Sequence, residues 1–254
     1  MVRLPQADES EAAACGGCHG APPADHASDV ACATCHPATI GGGGALVTAA
    51  HLDGVLDVGD GSGACTGCHG GPAGPAPPRG LAGETLPAAL AVGAHRAHLE
   101  APSQLRAPIA CTECHLVPAA VDDAGHLDSA LPAEVFPAGA GVIARADDAV
   151  PLWDHGTGRC SDVYCHGGGD RLGNDLAPDR ITEPTWTMVG DGQAACGRCH
   201  GLPPIDILHD HDPAYTIADC TTCHPSVDGF GSIVFTGPPE ARTTLHLNGE
   251  YDLR

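Results

Sequence analysis

The sequence has no lysine at all: its 11 basic residues are all arginine, set against 32 acids for a formal charge of −21. A surface so acidic repels phosphate backbones and argues against nucleic acid as a partner. Aromatic residues are also scarce, at 3% of 254 residues. Much of the 43% apolar fraction is alanine, which buries little area per residue, so side chains alone make a poor core. No run approaches the ~20 apolar residues of a membrane span. The start, MVRLPQADESEAAAC, contains no apolar signal segment, so the chain reads as a mature form or a piece of a longer protein. Methionine is nearly missing, with Met1 and Met188 alone. What is abundant is glycine and proline, at 35 and 23 residues. A chain so rich in them needs cohesion from metals or covalent cross-links.

The cysteines supply it. Six times the chain reads Cys-x-x-Cys-His: Cys15/Cys18/His19, Cys32/Cys35/His36, Cys65/Cys68/His69, Cys111/Cys114/His115, Cys196/Cys199/His200 and Cys220/Cys223/His224. A seventh is stretched to Cys-x4-Cys-His, at Cys160/Cys165/His166. Together they use all 14 cysteines. Two thiols so spaced can each form a thioether to a haem vinyl group, and the adjacent histidine then supplies an axial nitrogen to iron. The expected cofactor is therefore covalently attached haem c, seven per chain. Structural zinc requires four ligands but no histidine directly after the second cysteine. Iron–sulfur clusters and disulfide frameworks do not require it either.

Of the 16 histidines, nine remain: His26, His51, His95, His98, His126, His155, His209, His211 and His246. Seven irons with a proximal histidine leave seven further axial positions. Methionine cannot fill most of them, so bis-histidine ligation with low potentials is expected. The candidates for the distal position are His26, His51, His95, His98, His126, His209, His211 and His246. His95 and His98 lie three apart in GAHRAHL, on one face of a helical turn. His155, in WDHGTG, reads as a bystander.

An internal repeat organises the chain. CGGCHGAPP…CATCHP…HLDG at 15–54 matches CGRCHGLPP…CTTCHP…HLNG at 196–249. The expected division is an N-terminal dihaem unit at 1–60, a trihaem middle at 61–192 and a C-terminal dihaem unit at 193–254 repeating 15–58, forming one continuous haem-packed body. The fold class expected is mostly irregular and loop-rich, with haems as the core. Short helical turns are predicted over the haem motifs and about 84–100. Few short strands are predicted, near 133–136, 142–145 and 232–235.

The order CxxCHG…APP…GAHxxHL…CxECHxVP…GHxD…AEVF…CSDVYCHG…W…CGxCHGxPP…CxxCHP…HxNG resembles the CxxxxCH/CxxCH multihaem cytochromes of metal-reducing bacteria. The likeness covers roughly 65–250, with 15–58 as a second copy of its last part. It implies electron transport in respiration, at the cell surface or outside the cell, or in the periplasm. The implied partners are other redox proteins or extracellular acceptors. Some similar proteins polymerise into filaments in which a histidine of one subunit ligates a haem in the next, a role open here to His26, His51 or His246.

The leading function is thus electron transfer along closely packed bis-histidine haems, with no catalytic residues. The rival is a multihaem reductase with one open iron, which cyanide binding or a high-spin spectrum would reveal. A structural role as a filament subunit overlaps with the first reading, and micrographs would distinguish it.

Overall fold

In the computed structural model, the described residues are 32–41, 45–51, 53, 66, 69–70, 74, 80, 84–100, 105–120, 123–126, 132–170, 177–202, 216–230, 232–237 and 243–250. The chain groups into two compact units, one of Met1–Thr85 with Val117–Glu134 and one of Leu86–Leu116 with Val135–Arg254. The 1–60, 61–192 and 193–254 division rests on repeat order in the sequence, whereas these units are groupings in space.

The architecture is loop-rich, with short helices and one two-stranded sheet. Among the described residues of the first unit are the helices α1 (Cys32–Cys35) and α2 (Thr48–His51), with an isolated bridge between Ile40 and Leu46 in the stretch that links them. The second unit holds α3 (His95–Leu99) and single 3-10 turns at Cys111–Glu113, Ala146–Asp148, Tyr164–His166 and Ile217–Thr222. The predicted turns over the haem motifs are present at Cys32, Cys111, Cys165 and Cys220. None of the three predicted strands forms. Residues 133–136 and 142–145 form bends and turns, and at 232–235 the pairing is one isolated bridge, Val227 to Ile233. Gly139 and Gly141 at φ +96° and +82°, with Phe136 at +57°, bend the chain where a strand needs extended backbone.

The strands form elsewhere. β1 (Leu152–Asp154) pairs antiparallel with β2 (Arg159–Ser161), placing Trp153 opposite Cys160. The turn between them is closed by Asp154, whose carboxylate accepts from the Gly156 N–H at 2.8 Å and the Thr157 hydroxyl at 2.8 Å. Those bonds to Thr157 and Gly156 hold its carboxyl below the usual range. The far edge of β2 takes up the 184–186 stretch: Cys160 N–H donates to Pro184 O at 3.3 Å, and Trp186 N–H to Gly158 O at 2.8 Å. This sets the position of Trp186.

The core cluster of the second unit is small: Phe136, Ala144 and Val163, with Val135, Trp153 and the thiol-bearing Cys114, Cys160 and Cys165 packed on it. Glu113, buried inside the fourth motif, accepts from Ile143 N–H at 2.8 Å and Ala144 N–H at 3.0 Å. Ala144 O in turn accepts from Tyr164 N–H at 3.0 Å, and Cys114 O from Phe136 N–H at 2.7 Å. A backbone lattice thus ties the Cys111/Cys114 motif to the Cys160/Cys165 motif.

Candidate functional site

The histidines of the motifs meet the spare histidines in pairs. In the first unit His69 faces His126, ring centroids 6.1 Å apart. In the second, His115 faces His95 at 6.3 Å, His166 faces His98 at 6.2 Å, and His200 faces His246 at 6.4 Å. Each pair joins one motif histidine to one spare histidine. Direct ring stacking would bring centroids closer, so the recurrence of one separation calls for a common cause. Metal–imidazole bonds of about 2.0–2.1 Å on either side of one ion, plus a ring radius of about 1.1 Å on each side from ring bonds of about 1.33 Å, sum to about 6.2–6.4 Å. Imidazole pairs at this spacing leave room for one iron between them, so the residues fit haem.

Second contacts fix which nitrogen is presented. His95 Nδ1 donates to Val92 O at 2.8 Å, His98 Nδ1 to Ala94 O at 2.9 Å, His200 Nδ1 to Gly201 O at 2.7 Å and His246 Nδ1 to Leu105 O at 2.6 Å. A carbonyl only accepts, so the proton sits on Nδ1 and the Nε2 lone pair is left for a metal. His166 differs: its Nδ1 is buried without a hydrogen-bond partner, a rarity for a buried polar atom that calls for a group beyond the chain's own atoms. Burial, then the nearby His98 and Arg106, pushes this imidazole down to about 4. Burial also lowers His98 and His246. The neutral ring is the form that ligates metal.

Four thiols are held protonated by the same physics. Burial first, then the neighbouring thiols of Cys160 and Cys165, pushes Cys114 up to about 12. Burial pushes Cys160, Cys165 and Cys199 each up to about 11. None is poised as a thiolate nucleophile. Cys32, Cys111, Cys114, Cys160, Cys165, Cys196, Cys199, Cys220 and Cys223 carry no disulfide. Among the described residues, no group of three or more His, Cys, Asp or Glu side chains is gathered for a metal ion, whereas a closed zinc site needs four ligands. The imidazoles come in twos.

The fifth and sixth motifs are in backbone contact. Gly167, directly after His166, has φ +83°, and a Cβ there would run into the Cys199 carbonyl. Arg180 bridges the two, its guanidinium donating to Gly167 O at 2.7 Å and Cys199 O at 3.1 Å. Arg180→Leu removes both charge-assisted bonds and leaves two carbonyls short of a donor. It is expected to cost about 2 kcal/mol, read as a lower guanidinium midpoint in unfolding followed by the Soret band.

The remaining predicted residues are placed as follows. His36 is half-buried after α1, His51 is exposed at the end of α2, and His224 is half-buried after Cys223. His155 is exposed, packs edge-on to Trp153 at 5.6 Å and accepts its indole N–H at 2.9 Å. Cys15, Cys18, His19, His26, Cys65, Cys68, His209 and His211 lie outside the described residues. Glu113, Arg180 and Gly93 escaped the sequence reading. A carboxylate inside a haem motif (CTECH) and an arginine in a base-poor chain were the available signals.

Residues 159–200 match a family model described as "Geobacter CxxxxCH...CXXCH motif". The match spans the fifth and sixth motifs, the two that Arg180 and Gly167 hold together. No curated protein and no solved structure matches the chain. Among the described residues, no helix is long and apolar enough to cross a membrane.

Proposed function

We propose that the chain, a multihaem c-type cytochrome by its match over 159–200 to the Geobacter CxxxxCH...CXXCH motif family, is a seven-haem electron conduit in respiration outside the cytoplasm. Haem c, when bound, supplies reversible one-electron exchange between ferric and ferrous iron without a substrate pocket. The observation that carries the reading is the set of four imidazole pairs at 6.1–6.4 Å. His69, His115, His166 and His200 would hold the proximal positions, opposed by His126, His95, His98 and His246 respectively. Both axial sites so occupied leave no open coordination position at these four, which favours transfer over catalysis.

The thioether-forming cysteines of successive motifs converge. Cys114, Cys160 and Cys165 share one apolar cluster, and Cys199 Sγ lies 3.3 Å from Cys165 O. This supports neighbouring placement of the fourth, fifth and sixth haems, in chain order. The surrounding polypeptide keeps the rings neutral and fixes their tautomers. The partners on this reading are other redox proteins, extracellular electron acceptors and further copies of this chain in a filament.

The test of the haem count is denaturing mass spectrometry of protein matured in a competent periplasm. Seven covalent haem masses are expected, and six for the Cys160→Ser/Cys165→Ser double variant. Four or fewer in the parent chain would break the reading.

A further inference from the structure

Two of the four imidazole pairs share a feature the others lack. His95 and His98 both project from α3, a helix of five residues, far below the length at which a helix holds itself in water. Its Arg96–Glu100 ion pair at 2.7 Å is exposed, and an exposed pair of this kind adds little. Yet this single turn must present one ring toward His115 and the other toward His166. What meets it from outside is Trp186. The indole is edge-on to His95, with centroids 4.8 Å apart and planes at 88°, and stacked on His98, at 5.6 Å and 24°. One flat side chain thus touches both rings and holds them crosswise.

The indole is itself fixed from three sides. Its Nε1–H donates to Leu90 O at 2.9 Å, in the turn leading into α3. Trp153 packs edge-on against it at 6.2 Å, and its backbone is pinned to Gly158. Gly93, two residues before His95, has φ +39°, and a Cβ there would collide with the indole nitrogen. The absence of a side chain at 93 admits the tryptophan.

We propose that Trp186 is the positioning residue for His95 and His98, orienting the two imidazoles so that one helical turn serves two irons with different ring-plane angles. The inference rests on the axial pairing put forward above. The angle between paired planes is 21° for His95 and His115 but 61° for His98 and His166. That angle sets the splitting of the iron d orbitals, so near-parallel rings give a rhombic low-spin ferric signal and strongly crossed rings a highly anisotropic one. By fixing the indole against both rings, the chain sets two spectroscopic types from one helix.

The experiment is low-temperature electron paramagnetic resonance of the oxidised, fully haem-loaded protein. His95→Ala and His98→Ala assign the two signals, each variant losing one low-spin signal. If neither loses a signal, the axial pairing fails. With the signals assigned, W186L is expected to shift both of them and leave the others in place. G93A, which displaces the indole without altering it, is expected to shift the same two. W186F keeps a ring but loses the Leu90 bond and is expected to shift both by less. The proposal is overturned if the assigned signals stay in place in W186L, or if all the low-spin signals move together. A W186F spectrum superimposable on the parent overturns it even where W186L does not fold.

Discussion

Replacing His95 and His98 together with alanine is expected to create two open irons. Both side chains sit on α3, and each faces a motif histidine at the separation of two axial ligands, 6.3 Å to His115 and 6.2 Å to His166. An alanine methyl cannot reach across that distance, and no methionine except Met1 and Met188 exists to substitute. The sixth position then falls to water or stays open, which converts a low-spin centre to high spin and raises its potential. The checkable quantity is carbon monoxide bound by the reduced protein: about none for the parent, one equivalent for either single variant and two for the double. His155→Ala serves as the control and is expected to bind none. Its ring is held by Trp153 at the protein surface, where the indole N–H donates to its Nδ1. Carbon monoxide binding by the parent itself would instead favour the reductase reading, with one iron already open.

How far the sequence foretold this arrangement follows from the range of each contact. The turns over the motifs are local, because two cysteines three positions apart and a following histidine fit one helical turn. α1 and the 3-10 turns at Cys111 and Ile217 formed as predicted. The glycine after His166 was visible in the motif, but its reason was not. Only the fold brings the Cys199 carbonyl against it. Strand prediction over 133–136 and 142–145 rested on short runs such as AEVF and GVIA. There the positive φ of Phe136, Gly139 and Gly141 and the bonds from the Arg145 guanidinium to Ala140 O and Phe136 O gave a coil instead. The surplus of histidines over motifs was a counting argument and needed no coordinates. Their assignment was beyond the sequence, since His98 to His166 and His200 to His246 are contacts between distant segments that no periodicity encodes. Trp186 shows the same limit: its residue type was conspicuous, but its position between two imidazoles depends on β2, the 184–186 stretch and Gly93 together.

The chain prepared without haem is expected to have no cooperative unfolding transition. The buried hydrophobic residues among the described ones are Ile40, Val92, Phe136, Ala140, Ala144, Ala149, Val163 and Tyr164. Three are alanines, each contributing less than about 1 kcal/mol of transfer free energy. The larger ones contribute about 1.5–3 kcal/mol apiece. Ordering the backbone is the main cost of folding, and the described residues bury few large side chains against it. Hydrogen bonding does not close the gap, because its net gain over water is small, at about 1 kcal/mol per bond. On the proposed reading, thioethers would shorten the accessible loops of the unfolded chain, and iron–imidazole bonds would join distant segments such as His98 and His166. In this the chain parallels small metal-folded domains, where binding energy is folding energy. Cytoplasmic expression without haem attachment, or serine at all 14 cysteines, should therefore give a polypeptide with rapid amide exchange throughout. It should be digested orders of magnitude faster than the haem-loaded form under the same protease. A sharp melting transition with protected amides in the haem-free chain would show that side-chain packing suffices, and would remove the reason for reading the cofactors as the core.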